Sequence, residues 1–110
     1  MATTAACGGP PAPTKEFTEA KSAVRAADEV GAKSVPEAAL YLKMARDNIA
    51  TAERAVNADD NDSARLYLKR AQADAELSIA LAKESAAREK AETAMRKVEA
   101  VRADIAAEEK

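Results

Sequence analysis

From Ser63 to Lys110 the chain contains neither glycine nor proline, and it is dense in Ala, Leu, Glu, Lys and Arg, the residues that cost a helix least. Such a stretch predicts one unbroken helix, and at 1.5 Å per residue its roughly 47 residues reach about 70 Å. The segment before it has a complementary pattern. Ala38, Leu42, Ala45, Ile49, Ala52 and Val56 step by four and three, the spacing of a coiled-coil seam. The helix carrying that seam is about half as long as the one that follows. About half of the long helix must therefore project beyond the hairpin or find another partner.

Punctuation residues divide the rest. Residues 1–13 carry no charge and hold Pro10, Pro11 and Pro13 together with Gly8 and Gly9, a composition that favours an extended, flexible leader. Thr14 is then a candidate N-cap. Phe17, Ala20, Val24 and Ala27 follow at helical spacing until Gly31 supplies a stop, which predicts a first helix over 15–30. Ser34, Pro36 and Glu37 form a start signal, with Ser34 as N-cap and Glu37 closing a capping box, and the second helix runs over 35–58. The run Asn57-Ala58-Asp59-Asp60-Asn61-Asp62 is rich in residues that bond to their own backbone and favour turns. Asn61 or Asp62 is expected to cap a third helix over 62–108.

A turn near 59–60 sets Val56 near Ala64, Ala52 near Leu68, Ile49 near Ala71 and Ala45 near Ala75. Large residues meet small ones, which gives the seam a preferred register. The first helix is expected to return along the second, with Phe17 and Val24 filling the remaining side. The fold class is all-α: a three-helix antiparallel arrangement, a short helix and then a helical hairpin, with a long final helix. It forms one Ala-rich helical domain over 14–110 behind the leader 1–13. Leu40-Tyr41-Leu42-Lys43 recurs as Leu66-Tyr67-Leu68-Lys69. A spacing of 26 residues without a third copy is not a solenoid signature, and two helix starts converging on one apolar pattern account for it.

The same composition removes whole classes of function. Much of the 47% apolar content is Ala, and the aromatics are Phe17, Tyr41 and Tyr67 alone, so nothing bulky walls an apolar small-molecule pocket. A net charge of −2, with both signs interspersed, does not suit nucleic acid. No apolar run is long enough to span a bilayer. Without any His, Ser, Thr and Cys have no imidazole base and bundle metal sites lose their usual partner. Asp59, Asp60 and Asp62 lack the central Gly and later Glu of a calcium loop. No catalytic residue, metal ligand or cofactor site is therefore expected, and the chain reads as non-enzymatic.

Two features remain as candidates. The first is Cys7, the single cysteine, preceded by Ala5 and Ala6 and followed by Gly8 and Gly9. Small residues before a cysteine and a loose Pro-rich stretch after it resemble the end of a bacterial lipoprotein signal, in which the cysteine receives the lipid. The pattern departs at Thr4, where that signal usually has Leu, and its apolar region is missing from Met1 to Cys7. The second is the amphipathic tail. Ala91, Ala94, Val98, Val101 and Ile105 recur at three-four spacing with Met95 beside them, and the charges from Ala87 to Lys110 balance at six against six. An isolated helix of this length is marginal in water, so Met95, Val98, Val101 and Ile105 are candidates for self-association or for a partner's helix.

The run from Ser34 to Arg46, the acidic turn, and the run from Ala64 to Leu77 ending in Asp74-Ala75-Glu76-Leu77 resemble a family of small Ala-rich helical proteins of bacterial envelopes. That family is a domain of unknown function, often following a lipoprotein signal and sometimes preceding an OmpA-like peptidoglycan-binding domain. The resemblance covers about residues 15–95. It implies an address on the periplasmic side of the cell envelope, a membrane attachment only through lipid on Cys7, and no catalytic residues. The function expected is that of a spacer, scaffold or helix-presenting adaptor. A soluble periplasmic chaperone-like binder, or a cytosolic helical adaptor if no signal lies upstream, are the alternatives.

Overall fold

The computed structural model describes residues 8–109. Three α-helices and one short 3₁₀ turn make up the fold: α1 (Thr14–Glu29), the 3₁₀ turn Ala32–Ser34, α2 (Pro36–Asn57) and α3 (Asn61–Glu108). α2 and α3 form an antiparallel hairpin. α1 is antiparallel to α2, runs in the same direction as α3 and lies in the groove between them. The molecule is a rod of 103 × 21 × 15 Å.

The seam read from the sequence is the core. Ala38, Leu42, Ala45, Ile49 and Ala52 of α2 face Ala64, Leu68, Ala71, Ala75 and Ala82 of α3, all buried. Ser78 is the one polar residue in that row; its hydroxyl donates to the Ala38 carbonyl at 2.7 Å. Together with the Asn48 side chain donating to Asp74 at 3.0 Å, it brackets the expected register from both sides. The two Leu-Tyr-Leu-Lys phrases serve one purpose twice. Leu40 and Leu66 are exposed, while Leu42 and Leu68 are 1% exposed and are the largest fully buried side chains.

The first helix departs from expectation. α1 makes its larger contact with α3 and a smaller one with α2. Ala20 is fully buried among Ile49 and Ala52 on one side and Ala64, Leu68 and Ala71 on the other, with Phe17 and Val24 half-buried around it. A backbone can approach α3 closely where its seam presents Ala64 and Ala71, so the groove rather than the flank of α2 receives α1. Arg46 with Asp28 at 2.6 Å and Lys21 with Glu53 at 3.1 Å tie α1 to α2 along its exposed edge.

The helix caps also differ. Ser34 does not cap α2; it ends the 3₁₀ turn, and Val35 is the N-cap at φ −109°, ψ 111°, without a side-chain bond. Pro36 is the reason. Its ring sets the first helical φ and drives the preceding residue into extended backbone, which makes Val35 the boundary. Thr14 is likewise the first residue of α1, with Pro13 before it. Gly31, at φ 80°, takes the left-handed conformation expected of a stop.

The hairpin turn is three residues long. Asp59 is left-handed at φ 58°, the Asp59 amide donates to Val56 and the Asp60 amide to Ala55, the paired bonds of a Schellman motif. Asp60, rather than Asn61 or Asp62, caps α3, its carboxylate accepting from the Ser63 amide at 3.1 Å. One residue thus closes α2 and opens α3.

Candidate interaction face of the third helix

α3 is one helix in two environments. Its burial ends at Ala82, and every residue from Ala86 to Glu109 is exposed. At about 1.5 Å per residue this second half extends the rod by about 35 Å beyond the bundle. The four tail residues singled out from the sequence lie here: Met95 is 64% exposed, Val98 49%, Val101 56% and Ile105 52%. They share one face of a helix that has no neighbour there among the described residues.

That face does not begin at Ala87. Continuing the three-four steps backward from Ile105 and Val101 through Ala94, Ala91 and Ala87 leads to Glu84, then Ala80, Leu77, Ala73, Arg70 and Leu66. All of these are exposed, with Leu66 at 50% and Leu77 at 41%. The helix therefore carries two seams. The inner one, from Ala64 to Ala82, is spent on α1 and α2; the outer one runs on the opposite side for nearly the whole helix. Because the two oppose each other, α3 as a whole has almost no net amphipathicity, which hides the outer seam in the sequence until the inner one ends.

Elsewhere the surface offers little chemistry. A shallow open groove between α1 and α2 is lined by Phe17, Lys21, Glu53, Val56 and Asn57. Lys21, its cation, is engaged by Glu53 and by the face of the Phe17 ring 5.4 Å away. Asp28 sits where partial burial raises its pKa, but the hydrogen bond from Arg46 and the approach of Lys33 outweigh that and hold the carboxyl below its ordinary value. Asp60 is also held low, by the Ser63 side chain and amide. Both are structural carboxylates, one joining helices and one capping. Among the described residues no three His, Cys, Asp or Glu side chains gather to hold a metal ion, and no helix is long and apolar enough to cross a membrane.

Cys7 lies outside the described residues. The leader next to it can be placed from Gly8 onward. Pro13 is buried, Asn61 donates to the Pro10 carbonyl at 2.7 Å, and Arg65 donates to the Pro11 carbonyl. The leader therefore docks at the hairpin-turn end of the rod. The projecting half of α3 leaves from the other end.

Comparison with curated proteins and with solved structures gives no match in either case. The family comparison does, over residues 15–98, which spans all three helices up to Val98 within the projecting half. The chain belongs to the family described as Domain of unknown function (DUF4398).

Proposed function

We propose that this chain is a non-enzymatic lipoprotein of the bacterial cell envelope that serves as a spacer and presents its final helix to another helix. The observation that carries the reading is the unpartnered half of α3, exposed at every residue from Ala86 to Glu109. Helices in proteins owe most of their stability to packing an amphipathic face, and a face of Val and Ile kept at coiled-coil spacing is worth keeping when it packs against something. Met95, Val98, Val101 and Ile105 are the contact residues in this reading.

The polarity of the rod fits the same role. With lipid on Cys7, the membrane end of the molecule would be the hairpin turn, where Asn61 and Arg65 hold the leader. The presented seam would then stand at the far end of a 103 Å body. The envelope address itself is an expectation of the sequence resemblance together with Cys7.

The test is expression of the gene with its native upstream sequence in a bacterial host, with intact mass, membrane fractionation and in-cell cross-linking read together. The expected product is cleaved before Cys7, carries acyl chains, fractionates with membranes and cross-links through the tail. An unmodified product in the soluble fraction contradicts the address. Cross-linking that persists in a Val98→Glu, Val101→Glu double variant contradicts the seam.

A further inference from the structure

We infer that the outer seam of α3 binds a second copy of this chain, antiparallel and in one register, over its whole length from Leu66 to Ile105. This rests on the reading that the projecting half of α3 is a contact surface, and it commits that surface to an occupant. The seam alternates steps of four and three without a break, so it has two kinds of position. One set holds Leu66, Ala73, Ala80, Ala87, Ala94 and Val101. The other holds Arg70, Leu77, Glu84, Ala91, Val98 and Ile105.

The two charges decide the orientation. In a parallel, in-register pair each residue meets itself, which places Arg70 against Arg70 and Glu84 against Glu84 inside the contact. Like charges there cost far more than at a rim. The flanking positions add to the penalty: Lys83 would face Arg88 and Lys97 would face Arg102 of the second copy, with only Lys69 and Asp74 attracting. An antiparallel pair removes the Arg70 repulsion and sets the two Glu84 in neighbouring layers rather than in one, each held by Arg88 of its own helix at 2.6 Å.

Full overlap selects the register. It opposes Leu66 with Ile105 of the second copy, Ala73 with Val98, Leu77 with Ala94, and Ala80 with Ala91. Large residues meet small ones or seal the ends, and the Ala layers permit close backbone approach. Arg70 meets Val101 near the end of the contact, where its aliphatic stem covers the valine and its guanidinium reaches water. Glu84 falls beside the two-fold axis.

The flanking charges agree with this register. Lys69 faces Asp104 of the second copy and Glu76 faces Lys97, and two-fold symmetry makes each pair twice. The one like-charged contact, Lys83 with Lys90, is flanked by Glu84. Sliding one heptad in one direction puts Lys69 against Lys97; sliding in the other puts Glu76 against Asp104 and Lys83 against Lys97. The contact is about 58 Å long at 1.5 Å per residue, and it closes by two-fold symmetry without leaving a free seam. Such a pair carries a leader at each end, so tethers on both would lay the rod along one surface or join two facing ones.

The experiment uses the full chain with Cys7→Ser, and combines sedimentation equilibrium with oxidative cross-linking of Ala80→Cys and Ala91→Cys variants. The expected result is a dimer whose mixed sample forms the 80-to-91 disulfide while neither variant links to itself. Glu76→Lys or Lys97→Glu alone should each weaken the dimer by about three- to tenfold, and the double swap should restore it. Self-linking of either single-cysteine variant, or no rescue in the double swap, overturns the orientation or register. A monomer at every concentration overturns the inference as a whole. If that monomer still cross-links in cells to another protein in a Val98-dependent way, the adaptor reading survives the loss of self-pairing.

Discussion

The two halves of α3 share one continuous helical backbone, yet one is held by tertiary packing and the other by nothing among the described residues. From Asn61 to Ala82 the helix buries a residue at nearly every three-four step against α1 and α2; from Ala86 onward it buries none. Strong helix formers dominate both, so helix propensity is not what separates them. What differs is the location of the apolar seam. The bundle half has one seam inside and one outside, whereas the projecting half has only the outer one, which meets nothing among the described residues.

The largest effect that would break this comparison is in the core of the bundle half. Leu68→Ala leaves a gap in a layer of alanines that cannot collapse further, and a loss of about 2–5 kcal/mol is expected in thermal or denaturant unfolding. Val98→Ala in the projecting half removes apolar carbons that are already half-exposed and should shift unfolding of the dilute monomer by no more than about 0.5 kcal/mol. Equal losses at the two sites would mean that the halves share one core.

A smaller effect sharpens the boundary at the hairpin turn. Asp59 occupies left-handed backbone that glycine adopts without a Cβ clash, so Asp59→Gly is expected to stabilise the bundle by roughly 0.5–1 kcal/mol. A loss of stability on that change would show that the Asp59 side chain contributes to the turn beyond its conformation.

The smallest effect is in acid. Asp28 and Asp60 have folded pKa values lowered from 3.8. The unfolded state binds their protons first, so their contribution is fully present above about that pH and is lost as pH falls through the lower folded values. Asp28→Asn should flatten the decline in melting temperature below pH 3.8, while an unchanged acid limb would remove the Arg46 and Lys33 pairing from the account.

Much of this architecture was legible in the sequence because it depends on spacing. The steps from Ala38 to Val56, the acidic turn, Gly31 and the uninterrupted run after Ser63 carry the helices and the hairpin register. Where several residues compete for one role, spacing was not enough. Ser34 satisfies the pattern of an N-cap, but Pro36 constrains the backbone more strongly and moves the boundary to Val35. Asp60, Asn61 and Asp62 are all good caps, and the Schellman closure at Asp59 selects Asp60. The groove for α1 depends on which side of the hairpin presents alanine, a property of three helices at once.

The exposed outer seam was half legible. Met95, Val98, Val101 and Ile105 stand out because only one seam exists there. Leu66 and Leu77 belong to the same face, but in the linear pattern they are interleaved with the core residues Leu68 and Ala75, and only their exposure separates the two sets.

Amide hydrogen exchange along α3, followed across protein concentration, tests the division most directly. Amides from Ala64 to Ala82 should be protected at every concentration, while those from Ala86 to Glu109 should exchange rapidly in the dilute monomer and gain protection as it associates. Equal protection of both stretches in a dilute monomer would contradict the claim that the bundle ends near Ser85 and that the rest of α3 is built to be completed by another chain.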